Sequence, residues 1–292
     1  MLFFQNILVA LDFNEAEQAE IDHALNLAKI HQSKVTFISV VPRLPKDAEL
    51  EISAMTPSQR LDLMITKRKE ELETIAECIK SHNIEVETVA VSGTPSDEII
   101  KQVIRGDHDL LMISERENQL AIKSKLIGST VRQILRQCPC PVLAVHPNYL
   151  GDYRKIMATI DVRENVDNQA LNSAIVRTAE AIAKAEGSEF SLLNILPNAN
   201  DNEEHLKRVL DCLQSLDTDF DHNNIHLVTG NVHTAITEGA STHDVDLLVM
   251  GMLSRTGIKG FFIGNTVEKV LDDVECSILA IKPEVFVSPI SV

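Results

Sequence analysis

The chain has 292 residues, 44% of them hydrophobic, so it is long enough for two domains of ordinary size, each with a core of its own. A net charge of −16 and a pI near 5.0 exclude a general nucleic-acid or anionic-membrane surface, which needs a positive field. Aromatic content of 4% with no Trp excludes base-stacking platforms, and no apolar run approaches the roughly 20 residues of a membrane span.

In chain order, Ile7 to Leu11 is a continuous apolar run, the pattern of a strand buried on both faces, and Asp12 closes it. Asn14 is placed to cap the helix that follows, whose apolar positions are Ile21, Ala24, Leu25, Leu27 and Ala28. Val35 to Val41 reads as a second strand ended by Pro42, then a polar loop to about Thr56, then a long charged helix from Pro57 to Ser81. Val86–Val91 is the third strand; Gly93-Thr94-Pro95 turns into a helix through Ile104; Leu110–Ile113 is the fourth strand. After a loop, Ser129–Gln137 is a helix and Pro141–Val145 the fifth strand. Pro147 to Tyr153 breaks regular structure and reads as a linker.

The second half repeats the first. FQNILVALD, ending at Asp12, returns as YRKIMATID, ending at Asp161. DHDLLMIS from Asp107 returns as DVDLLVMG from Asp244. LIGSTVRQIL from Leu126 returns as FIGNTVEKVL from Phe262. CPCPVLAVHP from Cys138 returns as ECSILAIKP from Glu275. Ordered recurrence of this kind marks a duplicated structural unit. Strands are expected near 156–160, 189–195, 225–228, 247–250 and 277–281. Helices are expected near 167–185, 203–216, 232–241 and 266–273, with the second helix segment much shorter than its first-half counterpart. Alternating strands and helices predict an α/β fold: two tandem Rossmann-like domains, 1–147 and 153–292, each a five-stranded parallel sheet with helices on both faces.

Ligands of such folds sit beyond the carboxyl ends of the strands, where strand order reverses. That singles out residues after the first and fourth strands. Asp12 and Asp161 each end a first strand; a carboxylate there either accepts hydrogen bonds from a ribose hydroxyl or adenine amine, or caps the next turn. After the second half's fourth strand, the loop runs from Gly251 through Ser254 and Arg255 to Gly264-Asn265-Thr266. Glycines permit close backbone approach, and a helix amino terminus favours an anion. Asn265 with Glu268 also fits a capping box, so the same residues serve as a cap or as a phosphate dock. The first-half loop, Ser114 to Ser129, lacks the early glycines, is one residue longer and carries Glu115 and Glu117, which repel phosphate; only Gly128-Ser129 survives at its helix start. The ligand loop of the first half is degraded and that of the second half partly kept.

With these motifs the chain resembles the universal stress proteins in tandem two-domain form, over essentially its whole length. The family motif is Gly, two residues, Gly, nine residues, then Gly-Ser or Gly-Thr. Here it reads Gly251, Ser254 in place of the second Gly, then Gly264 with Asn265 in place of Ser, followed by Thr266. Gly264 through Pro283 to Ile290 looks most like the universal stress protein E subgroup. The resemblance implies an adenine nucleotide alpha hydrolase-like fold, a cytoplasmic role in stress adaptation, and ATP or a related nucleotide as the ligand, held by Asp161, Gly251, Ser254, Arg255, Gly264, Asn265 and Thr266. Asp12, Gly128 and Ser129 are the first-half counterparts. Three functions fit: a non-enzymatic binding and regulatory protein, which leads; a weak ATPase or nucleotide-dependent switch; and a ligand-free interaction scaffold. Because single-domain relatives pair through their last strands, the two halves are expected to pair about a pseudo-twofold axis through Pro141–Val145 and Ser277–Ile281.

Other constellations carry little. Cys138-Pro139-Cys140 with His146 lacks zinc-knuckle spacing and reads as buried structural thiols; five scattered Cys fit a reduced, cytoplasmic chain. The ten His show no HExxH-like spacing, and no P-loop or GxSxG is present, so no metal and no catalytic residue is predicted. Met1-Leu2-Phe3-Phe4 does not read as a signal peptide.

Overall fold

The computed structural model describes residues 4–13, 18–43, 56–80, 82–114, 128–146, 151–162, 166–196, 202–216, 220–252 and 265–291. The described elements are β1 (Asn6–Ala10), α1 (Gln18–His31), β2 (Lys34–Pro42), α2 (Pro57–Lys80), β3 (Val86–Gly93), α3 (Pro95–Arg105), β4 (Leu110–Ser114), α4 (Ser129–Gln137), β5 (Val142–Val145), β6 (Lys155–Ile160), α5 (Val166–Glu186), β7 (Glu189–Leu196), α6 (Asn202–Ser215), β8 (Ile225–Thr229), α7 (Val232–Thr242), β9 (Leu247–Gly251), α8 (Asn265–Asp273) and β10 (Ser277–Ile281). A 3-10 turn at His222–Asn224, which the sequence pattern did not announce, leads into β8. The chain separates into two compact units, one built on β1 to β4 and the other on β5 to β10.

In the first unit the strands lie in the order β3-β2-β1-β4, all parallel. Ile7, Leu8 and Val9 of β1 and Leu110, Leu111 and Met112 of β4 are fully buried, as expected for strands covered on both faces. α1 turns Ala24, Leu27 and Ala28 onto them, at the i, i+3, i+4 spacing that makes one helix stripe. α2 buries Leu72, Ala76 and Ile79 in its second half.

In the second unit the order β8-β7-β6-β9-β10 is parallel throughout, a five-stranded doubly wound sheet, and β5 adds to its far edge antiparallel to β10. α5 packs Leu171, Ile175, Val176, Ala179 and Ile182 against it. The chain leaves α5 through Gly187 at φ 74°, a left-handed conformation in which glycine carries no steric cost.

The sequence repeat is a repeat of hydrogen bonds. Asp109 accepts from the backbone N–H groups of Gln5 (2.7 Å) and Asn6 (3.0 Å), and Asp246 from those of Arg154 and Lys155 (both 2.9 Å). Each carboxylate pins the start of a first strand to the start of a fourth. The Ser33 hydroxyl donates to the Phe4 carbonyl as the Ser188 hydroxyl donates to that of Tyr153. Asp107 and Asp244, which precede the two fourth strands, share a positive φ, 51° and 50°.

Candidate functional site

In the second unit β6 pairs directly with β9, so their carboxyl ends are neighbours: Thr159 faces Met250, and Asp161 and Gly251 lie just beyond. Asp161 is the first residue past β6 and is half-buried. Its backbone is held at both polar groups by one side chain of α5. The Asp161 N–H donates to Asn172 Oδ1 (3.1 Å), and Asn172 Nδ2 donates to the Asp161 carbonyl (2.6 Å). Asn172 is itself 3% exposed. One residue earlier, the Ile160 carbonyl accepts from Nδ2 of the buried Asn194 on β7 (2.9 Å). The turn after β6 is therefore fixed by two buried carboxamides. Sequence reasoning passed over both, and their signal is a polar residue inside an apolar pattern, Asn172 after Leu171 on α5 and Asn194 within FSLLNIL on β7.

Gly251 ends β9, opposite Ile281 of β10, and the next N–H, of Met252, donates to the Ile281 carbonyl (2.8 Å). A Cβ at Gly251 would lie 2.7 Å from Leu171 Cδ2 and 2.9 Å from Ile175 Cδ1. A side chain at this position would press on the ends of Leu171 and Ile175 of α5, so the close packing of α5 onto the strand end favours glycine here whether or not a ligand approaches. Ser254, Arg255 and Gly264 lie outside the described residues. α8 starts at Asn265 and Thr266, whose side chains, with the capping box to Glu268, are also outside them. The structure therefore brings together Asp161 and Gly251.

In the first unit Asp12 lies just past β1, half-buried, beside the end of β4, where Ala10 faces Ile113. Phe13 follows at φ 60°, with the Arg68 guanidinium of α2 4.6 Å above its ring centre. Gly128 directly precedes α4, and a Cβ there would meet no atom within 4 Å; Ser129, the first residue of α4, is exposed. Asn14, the expected cap of α1, lies outside the described residues.

Crossover helices of each half are tied in similar places. Gln133 of α4 donates to Asp97 of α3 (3.1 Å), and His233 Nε2 of α7 lies 2.7 Å from Asp273 Oδ2 of α8. Asn231 caps α7, accepting from the His233 N–H (3.0 Å), so that helix end is satisfied by the chain itself.

The opposite, amino-terminal end of the second sheet carries other polar groups. A cleft of about 350 Å³ is lined by residues that include Lys155, Glu189, Asn224, His226 and His243. The His226 and His243 rings stack at 4.0 Å, and burial, with the charge of His243, lowers the basicity of His226. Nearby, Glu186 at the end of α5 accepts from the Tyr153 N–H (3.0 Å); burial raises its carboxyl to about 7, partly offset by that bond and reinforced by Asp152. Among the described residues no three His, Cys, Asp or Glu converge as metal ligands, and no helix is long and apolar enough to cross a membrane.

A parallel sheet ordered 3-2-1-4-5, with an acid after its first strand and a glycine closing its fourth, defines a doubly wound, Rossmann-like α/β protein. The family model of the Universal stress protein family matches residues 3–146 and again 152–282, and the chain belongs to that family. It is 26% identical to Universal stress protein E of Photorhabdus laumondii, over 99% of this chain and 98% of that one, and 24% identical to Universal stress protein E of Escherichia coli K12 over the same shares. Among solved structures it is similar to a functionally unknown Pseudomonas aeruginosa protein (TM-score 0.76, 22% identity, 96% of this chain and 93% of that one). It is also similar to a universal stress protein of Archaeoglobus fulgidus (TM-score 0.74, 17% identity, 95% and 98%). These structural likenesses concern the fold.

Proposed function

We propose that this protein serves in stress adaptation as a cytoplasmic binding and regulatory protein rather than an enzyme, and that its second half, 153–292, holds an adenine nucleotide or a similar phosphate ligand. Family membership supports the stress role. The observation that carries the ligand reading is the grip of Asn172 on Asp161, which fixes an acid beside the end of β9 at the reversal of strand order. The helix that follows β9, α8, begins at Asn265, and the unpaired N–H groups of a helix start favour an anion. The first half, 1–147, takes the structural or partner-facing role, because its loop carries Glu115 and Glu117 in place of the early glycines.

Titrating ATP into the full-length protein tests this. The expected result is binding heat and a rise in melting temperature, both lost in Gly264→Val and kept in Gly128→Val. No heat and no thermal shift at millimolar ATP would refute the nucleotide reading. Phosphate release that Gly264→Val abolishes would replace the binding protein by an ATPase.

A further inference from the structure

We propose that Cys138 and Cys140 form a reversible oxidation site, a dithiol that a hydroperoxide converts to an intramolecular disulfide. Their sulfurs are in contact at 3.5 Å, and neither is in a disulfide. A disulfide bond is about 2.05 Å long, so the sulfurs need to close by only about 1.5 Å, a displacement on the scale of side-chain torsion. The chain bends at Pro139 and Cys140, which brings the two side chains closer than the roughly 7 Å that separates residues i and i+2 on one face of an extended segment. Cys138 is tied into the last turn of α4 by its N–H bond to the Ile134 carbonyl (2.8 Å). Cys138 is fully buried and Cys140 is 9% exposed, which makes Cys140 the sulfur a small oxidant meets first.

The chemistry balances without a cofactor. The Cys140 sulfur, having lost its proton, attacks one oxygen of the hydroperoxide; the O–O bond breaks, and the leaving oxygen takes up a proton as water or alcohol. The resulting sulfenic acid is attacked by Cys138; the S–O bond breaks, the S–S bond forms, and the hydroxyl leaves as water with the Cys138 proton. The two thiols lose two electrons and two protons, and the peroxide is reduced. Thiol reductants reverse the change.

The duplication supplies a control. Cys276, which repeats Cys140, is buried to a similar degree, but Val274 stands where the first half has Cys138. Burial is thus similar, and the neighbouring thiol is missing.

The test uses the full chain with Cys78→Ser and Cys212→Ser, alongside the unaltered chain. Each is exposed to hydrogen peroxide, denatured, alkylated and analysed by peptide mass. The expected result is that the peptide containing residues 138 and 140 loses two hydrogens and resists alkylation, regaining both thiols after reduction. Cys276 stays alkylatable, and Cys138→Ser abolishes the cross-link. Full alkylation of both Cys138 and Cys140 after peroxide, or their conversion to sulfinic acids or intermolecular disulfides, would overturn the proposal.

Discussion

Asn172 holds Asp161 by both polar groups of its backbone, with bonds of 3.1 and 2.6 Å from a single buried carboxamide. Asn172→Leu keeps the volume roughly and removes both bonds. Leaving partly buried backbone groups unpaired costs about 1–3 kcal/mol. At roughly 2–4 °C per kcal/mol for a chain of this size, the melting temperature should fall by several degrees. The proposed site predicts a second effect in the same variant, a weaker response to ATP. An unchanged melting temperature would show that water replaces the carboxamide without loss.

Gly251→Ala tests why glycine ends β9. Its new Cβ would press on Leu171 and Ile175, and overpacking of this kind costs about 1–3 kcal/mol. Leu171→Ala alone should destabilise by about 2–5 kcal/mol through the cavity it leaves. If the clash is the cause, the double variant should be more stable than the sum of the two losses predicts, by an amount that denaturant unfolding can resolve. Strict additivity would mean the helix moves aside freely.

Glu186 and His23 should give opposite pH dependences. Burial raises Glu186 from 4.5 to about 7. Its folded form therefore binds the proton more tightly than the unfolded chain, and the stability it contributes is full below pH 4.5 and lost as pH rises towards 7. Glu186→Gln should remove that slope, which is on the order of 1–2 kcal/mol once solvent screening at this partly exposed carboxyl is allowed for. Comparing melting temperatures at pH 5.5 and 8 checks it; an unaltered slope in the variant would assign the effect elsewhere.

His23 works in the other direction. Buried in α1, its imidazole is lowered from 6.5 to about 3. The unfolded chain takes up the proton first, so stability is full above pH 6.5 and is lost as pH falls towards 3. A His23→Asn variant is expected to lose less stability between pH 7 and 4.5 than the unaltered chain, by on the order of a few kcal/mol. Parallel acid-unfolding curves would contradict this.

The elements were legible because the core pattern is strong. The strands at 156–160, 189–195 and 277–281 appear within a residue of where apolar runs put them, and Asp12 and Asp161 lie just past the first strand of each half, as the repeat predicted. The site was legible only in part. Asp161 and Gly251 do end neighbouring strands, but Asn172 was hidden as one polar residue in a long helix, 11 positions from the backbone it holds. The contact between Cys138 and Cys140 was hidden too, because residues i and i+2 of an extended chain share a face but stand roughly 7 Å apart, and the bend at Pro139 closes that gap.

By itself the sequence determined that two copies of a doubly wound α/β unit follow one another, that both keep an acid after the first strand, and that the segments after their fourth strands have diverged. These follow from periodicity and spacing, which are local and survive in one dimension. Tertiary structure decided what Gly251 is for, what fixes Asp161 and which thiols meet. Each depends on the distance between atoms of different elements, and such distances are set by helix-on-sheet packing rather than by any property of the residues taken along the chain.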